Sequence, residues 1–126
     1  MILVDTNVII AFWRSPTEKL KLLFEENHIV ISGVTRSELL HGAKDNTDFI
    51  CIEKALNSLE ELEVNRKIWS QLGKILFQLR CKGIKVPFQD ALIATLAIEN
   101  NCKLWTYDNH YKLISKVISE LKLFNE

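Results

Sequence analysis

Residues 1–13, M-I-L-V-D-T-N-V-I-I-A-F-W, decide the fold. The run Ile2–Val4 consists of branched apolar residues, which is typical of a strand buried on both faces. Asp5 ends this run, and a second apolar run predicts a helix starting at Thr6. A carboxylate directly after a buried strand lies at the rim of a sheet, where desolvation is costly unless a cation or hydrogen-bond donors hold it. The stretch therefore predicts a strand, a helix and an acid in a special environment between them.

The rest of the chain alternates short apolar runs with longer helical patterns. Further strands are predicted at residues 29–31, 104–106 and 121–124. The clearest amphipathic helix has one apolar face that consists of Ile68, Leu72, Ile75, Leu76 and Leu79. Residues 90–98 are apolar nearly all round, which predicts a buried helix. Strands alternating with helices indicate an α/β domain on a mostly parallel sheet.

Composition limits the classes of protein to which this chain can belong. With 126 residues, 48% hydrophobic and 25% charged, we expect a single domain spanning residues 1–126. The 16 basic and 16 acidic side chains cancel, so bulk charge attracts neither nucleic acid nor a membrane. Neither a secretory signal nor a long apolar segment is evident, so we expect no membrane association and a cytoplasmic location.

The three cysteines do not form a recognisable framework. Cys51, Cys81 and Cys102 are odd in number and widely spaced, which disfavours both disulfides and a zinc site. We expect them to be small buried apolar residues in a reducing compartment.

Four acids stand near predicted strand ends or helix starts: Asp5, Glu38, Asp90 and Asp108. Each has an ordinary structural explanation. Asp5 suits a helix N-cap, and Asp90 suits the positive end of a helix dipole. Glu38 suits a solvated helix face, and Asp108 suits a turn. Since parallel strands present their carboxyl ends at one edge of the sheet, a shared site explains all four better than four coincidences.

The motifs that carry these acids resemble those of PIN-domain nucleases, in particular the small bacterial VapC-like toxins. The motifs are D-T-N after the first strand, S-E-L-L-H-G in an early helix, Q-D-A-L-I-A-T-L-A before the late strand and L-W-T-Y-D-N-H-Y after it. The resemblance covers nearly the whole chain and implies a three-layer α/β/α domain around the sheet. It also implies a homodimer and a small cognate antitoxin protein.

The resemblance further implies a metal-dependent endoribonuclease with one acidic pocket. Its catalytic and metal-binding residues are Asp5, Glu38, Asp90 and Asp108, with Asn7 and Thr106 supporting the metal site. Clustered carboxylates repel one another, and a hard divalent ion such as Mg²⁺ or Mn²⁺ removes that conflict. One or two such ions lower the pKa of a water and stabilise the leaving oxygen. We therefore expect phosphodiester hydrolysis without a covalent protein intermediate.

Other chemistries find little support in the sequence. The chain has no nucleophile elbow, no G-x-x-x-x-G-K-[ST] phosphate loop and no G-x-G-x-x-G motif. His41 is expected to be a structural or surface histidine. His110 suits either an approach to the acidic pocket or a loop that starts the next helix. The open alternatives are a DNA or structure-specific nuclease and a non-catalytic PIN-like scaffold for protein interaction.

Basic residues are concentrated in one part of the chain. Residues 64–89 contain six basic side chains and no acid. This stretch either contacts RNA phosphates beside the pocket or forms an ordinary solvated helix face. The candidate RNA-binding residues are Arg14, Arg36, Lys74, Lys82 and Lys85.

Overall fold

A computed structural model describes residues 1–126 as four strands and seven helices. The strands are β1 (Ile2–Val4), β2 (Ile29–Ser32), β3 (Glu60–Leu62) and β4 (Lys103–Trp105). The helices are α1 (Thr6–Arg14), α2 (Glu18–Glu26), α3 (Gly33–His41), α4 (Asn46–Asn57), α5 (Arg66–Cys81), α6 (Phe88–Glu99) and α7 (His110–Val117). All strand pairs are parallel, and the strand order in the sheet is β3-β2-β1-β4.

Helices cover both faces of the sheet. Because successive side chains of a strand point to opposite faces, Leu3 packs into one apolar cluster while Ile2 and Val4 pack into another. The first cluster contains the apolar faces of α5, α6 and α7, and the second contains those of α1, α2, α3 and α4. The predicted three-layer α/β/α architecture is therefore confirmed.

The two helices predicted most clearly differ in burial, as their sequences indicated. In α5, the residues that point inward recur at helical spacing, and the Asn65 side chain caps the helix by accepting a hydrogen bond from the Ile68 amide at 3.0 Å. In α6, residues 91–97 are all buried. Packed between the sheet and α5, α6 presents its first turn, with Asp90, at one end of the sheet.

The prediction of a strand at residues 121–124 is wrong. Only an isolated bridge joins Leu123 to Leu104 there. The remaining strand of the sheet is instead β3, an edge strand whose Glu60 and Glu61 are exposed. An edge strand is paired on one side only, so solvent-facing acids are tolerated in it, and no apolar pattern marked it in the sequence.

The cysteine prediction holds for one residue of three. Cys102 is buried, whereas Cys51 and Cys81 are exposed on α4 and α5. Both exposed thiols lie on amphipathic helices, where one sequence position decides which face a residue occupies. None of the helices is both long and apolar enough to cross a membrane.

Candidate active site

The acids meet where the strand order reverses. The chain runs from β1 outward through β2 to β3 and then returns to place β4 on the other side of β1. A crevice forms at such a reversal, beyond the carboxyl ends of the strands, and open parallel sheets bind ligands there. Asp5 follows β1 at this point, and its backbone amide donates a hydrogen bond of 2.9 Å to the Trp105 carbonyl at the end of β4.

Asp5 is the buried member of the acidic cluster, with 8% of its surface exposed. Its Oδ1 accepts a hydrogen bond from the Thr6 amide at 2.9 Å, so it does cap α1. Its Oδ2 accepts one from the Thr106 hydroxyl at 2.8 Å. Burial raises the pKa of the Asp5 carboxyl, these two bonds lower it, and the negative charges of Asp90 and Asp108 raise it further. Capping and membership of the cluster are therefore compatible roles of one residue.

Asn7 and Thr106 hold the loop after β4 against the start of α1. The Thr106 hydroxyl oxygen accepts hydrogen bonds from the Asp108 amide at 3.0 Å and from the Asn7 side-chain amide at 3.5 Å. The side-chain oxygen of Asn7, Oδ1, in turn accepts a hydrogen bond from the Tyr107 backbone amide at 3.2 Å. This network fixes the distance between the loop that carries Asp108 and the strand that ends at Asp5.

Glu38 reaches the cluster through a residue that sequence reasoning missed. The Thr6 hydroxyl donates a hydrogen bond of 3.0 Å to Glu38 Oε1 and lies 3.2 Å from the Thr35 hydroxyl. Glu38 itself is exposed and lines a cleft of about 500 Å³ between α3 and α6, together with Gln89, the neighbour of Asp90. The sequence signals for Thr6 are its place directly after Asp5 and its position in the D-T-N motif.

His110 joins the remaining two acids. Its Nε2 lies 2.5 Å from Asp90 Oδ2, and its Nδ1 lies 2.5 Å from Asp108 Oδ1. His110 is also the first residue of α7, so it both lies at the acidic cluster and starts the next helix. The bridge connects α6 to the loop after β4, and both ring nitrogens are in contact with a carboxylate.

The residues at this crevice fit a hard divalent ion by two criteria. The acidic side chains supply carboxylate oxygens, the ligands that Mg²⁺ and Mn²⁺ prefer. The hydroxyl of Tyr111, the residue after His110, is buried beside them without a hydrogen-bond partner. No three Asp, Glu, His or Cys side chains already surround a common point, since His110 engages two of the acids and Thr6 engages Glu38.

Comparison with known proteins identifies the family. The PIN domain family matches residues 2–117. The chain belongs to the PIN-domain family. Ribonuclease VapC2 of Rickettsia felis is 29% identical to it over 127 residues, which cover 94% of this chain and 95% of that relative. Ribonuclease VapC1 of Methanocaldococcus jannaschii is 32% identical over 109 residues, covering 83% of this chain and 74% of the relative.

Solved structures agree with this assignment. The crystal structure of VapBC2 from Rickettsia felis bound to a DNA fragment from their promoter superposes on this PIN domain with a TM-score of 0.82 at 26% identity. The match covers 100% of this chain and 99% of that chain. The chain is therefore a PIN domain of the VapC-like group.

The candidate RNA-binding residues of this PIN domain lie in different surroundings. Arg36 donates hydrogen bonds to Glu61 at 2.5 Å and to Asn57 at 3.0 Å, so its guanidinium is directed to β3 and the end of α4. The other four are exposed. Arg14 ends α1, and the exposed lysines of the basic stretch lie on α5 and on the loop that leads to α6: Lys74, Lys82 and Lys85.

Proposed function

We propose that this protein is a metal-dependent endoribonuclease that hydrolyses RNA phosphodiester bonds and acts as the toxin of a type II toxin-antitoxin pair. The observation that carries the proposal is the convergence of Asp5, Asp90 and Asp108 at the switch point of the sheet, with Glu38 linked to them through Thr6. The relatives named ribonuclease, which match most of this chain, support the same activity.

One or two Mg²⁺ or Mn²⁺ ions are the proposed cofactor, with Asp5, Glu38, Asp90 and Asp108 as the holding residues. When bound, such an ion supplies an activated water and charge for the scissile phosphate and the leaving oxygen. The network of Thr106 and Asn7 orients Asp5 and keeps the Asp108 loop in place, as hydrogen-bonded neighbours of metal ligands do. Burial of Asp5 strengthens its interaction with a cation, because screening by water is weaker there.

The basic stretch is the proposed contact for RNA phosphates. The loop from Lys82 to Lys85 precedes α6, whose first turn carries Asp90, so bound phosphates there lie on the chain segment that enters the site. Lys74 is exposed on α5 beside a separate cleft, which Ile98 and Glu120 also line. Arg36 is a poorer candidate than the sequence indicated, because Glu61 already neutralises it.

The proposed partners are a second copy of this chain and a small antitoxin. Similarity to the VapBC2 assembly supports the antitoxin. An apolar cleft of about 280 Å³, lined by Trp13, Cys51, Ile52 and Ala55, is a suitable seat for an apolar antitoxin segment. Co-purification with the product of the neighbouring gene, and the mass of the isolated chain in solution, test the two assemblies separately.

The deciding experiment is cleavage of a mixed transfer and messenger RNA pool by wild type and Asp90→Asn. We expect discrete RNA fragments with Mg²⁺ or Mn²⁺, none with chelator, and at least a hundredfold slower cleavage by the variant, because it loses one carboxylate charge of the metal site. Asp48→Asn, which changes a partly exposed acid on α4 whose carboxylate accepts a hydrogen bond from the Lys44 amide, is the matched control and should cleave like wild type.

The same experiment separates the alternatives. A single-stranded DNA substrate is included, and cleavage of DNA in preference to RNA favours a DNA nuclease. Intact RNA and DNA under every metal condition contradict the proposed activity and favour a non-catalytic scaffold.

A further inference from the structure

The hydroxyl of Tyr111 is a buried polar group whose role is not explained by packing. The side chain is completely buried in the first turn of α7, and its Oη has no hydrogen-bond partner. A buried hydroxyl without a partner loses its bonds to water and gains nothing in return. Phenylalanine would fill the same apolar space without that cost, so packing alone does not account for the hydroxyl.

The hydroxyl lies beside the acidic cluster. Burial raises the pKa of Tyr111 above its ordinary value, and the negative charges of Asp5, Asp90 and Asp108 raise it further. The Asp90 carboxylate lies near enough to Oη to raise the Tyr111 pKa through a side-chain interaction, but the two groups do not meet in hydrogen-bonding geometry, and Asp90 Oδ2 is in contact with His110. The His110 and Tyr111 rings stack with centroids 5.0 Å apart, so both side chains are held next to the same carboxylate.

A donor in this position suits a carboxylate that binds a metal ion. Metal-binding carboxylates are commonly held by hydrogen bonds from neighbouring side chains, and these donors orient the oxygen that faces the ion. Tyr111 Oη is a neutral donor inside the core, whereas the other neighbours of Asp90 in the cluster are acids and His110. It is therefore a group that can hold Asp90 without competing for the cation by charge.

We propose that Tyr111 is a positioning residue of the metal site, whose hydroxyl donates a hydrogen bond to the Asp90 carboxylate when a divalent ion is bound. This inference rests on the proposed metal-dependent function and assigns a role to Tyr111, the last residue of the L-W-T-Y-D-N-H-Y motif, which the set of four acids does not include. Metal binding then forms one additional hydrogen bond, because the Tyr111 hydroxyl is unpaired in the metal-free protein and has a partner in the metal-bound protein.

The test compares wild type with Tyr111→Phe, which removes only the hydroxyl. Calorimetric titration with MnCl₂ should show binding about tenfold weaker in the variant, the effect typical of a lost hydrogen bond to a metal ligand. Thermal unfolding in chelator should show an equal or higher midpoint for the variant, since an unpaired buried hydroxyl has been removed. The stabilisation by Mn²⁺ should accordingly be smaller.

Tyr107→Phe is the matched control. Tyr107 is a partly exposed tyrosine whose hydroxyl donates a 2.6 Å hydrogen bond to Glu126, so its removal should leave Mn²⁺ affinity unchanged. Circular dichroism of all three proteins establishes that they share one fold.

The outcomes are distinct. Unchanged Mn²⁺ affinity in Tyr111→Phe overturns the inference, and a lower midpoint in chelator with unchanged affinity shows that the hydroxyl has a purely structural partner, such as a buried water. If wild type cleaves RNA with metal in either case, the proposed function survives. If wild type binds no Mn²⁺ and cleaves nothing, both the function and the inference fail.

Discussion

Asp5 shows how one residue connects local structure to chemistry. Its carboxylate caps α1 through the Thr6 amide and accepts a second bond from the Thr106 hydroxyl, which comes 101 positions later in the sequence. The cap follows from sequence alone, because Asp after a strand and before an apolar run is a common helix start. The raised pKa follows from the tertiary structure, since it is caused first by burial.

Replacement of Asp5 by Asn should separate stability from metal binding. In the metal-free protein, the raised pKa means that the ionised carboxylate is the costly form. The stability that Asp5 contributes is therefore fully present below the unfolded pKa of 3.8 and is lost as pH rises through the higher folded pKa. We expect Asp5→Asn to gain stability relative to wild type as pH rises through this range, by urea unfolding in chelator, while losing stabilisation by Mg²⁺ or Mn²⁺.

Asp45→Asn is the control for that comparison, because Asp45 caps α4 outside the acidic cluster. A stability difference between wild type and Asp5→Asn that does not change between pH 3 and pH 8 would contradict the burial argument. Unchanged metal stabilisation in Asp5→Asn would contradict its role as a ligand.

At the scale of elements, α5 has two faces with different roles. Its inward face, which includes Leu72 and Leu79, packs in the main apolar cluster, and this face was readable from helical spacing. Its outward face and the following loop carry the basic stretch. The spacing of the basic side chains does not reveal whether such a face binds RNA or only keeps the helix soluble, because both roles need the same exposed charge.

Charge reversal of the basic stretch should decide between these roles. The double variant Lys74→Glu and Lys82→Glu should bind RNA more weakly, and the slope of log affinity against log salt should become shallower by about 1 to 2, because fewer counterions are released. The control double variant, Lys21→Glu and Lys54→Glu, makes the same charge change on α2 and α4. Equal slopes in the two double variants and wild type would return the stretch to ordinary solvated surface.

At the scale of the molecule, the sheet separates two apolar clusters, and the site lies at the end where the strand order reverses. The burial of each cysteine thiol depends on this arrangement, so thiol reactivity can test it. Cys102 is buried just before β4, its Sγ donates a hydrogen bond of 3.6 Å to the Asn100 carbonyl, and burial raises its pKa. A buried thiol that is rarely ionised reacts slowly, because the thiolate is the nucleophile.

Thiol labelling should therefore count the exposed cysteines and monitor unfolding. At pH 8 we expect two thiols, Cys51 and Cys81, to react quickly with a disulfide reagent and Cys102 to react only in denaturant. Cys102→Ala, measured alongside, should keep the two fast thiols and lose the third thiol that reacts in denaturant. Three fast thiols in the folded wild type would contradict the burial of the segment before β4.

The sequence by itself determined the strands β1, β2 and β4 and the helices α5 and α6, and it singled out the four acids as candidates. These features depend on local apolar periodicity, on the residues that begin helices and on motifs of adjacent residues, all of which are written along the chain. Only the tertiary structure decided that His110 bridges two acids, that Tyr111 has an unpaired hydroxyl beside them and that Arg36 is engaged by Glu61. It also supplied β3, an acidic edge strand with no apolar pattern. The reason is physical: the burial of a polar group and its partners depend on which distant segments pack around it, and no local pattern encodes that packing.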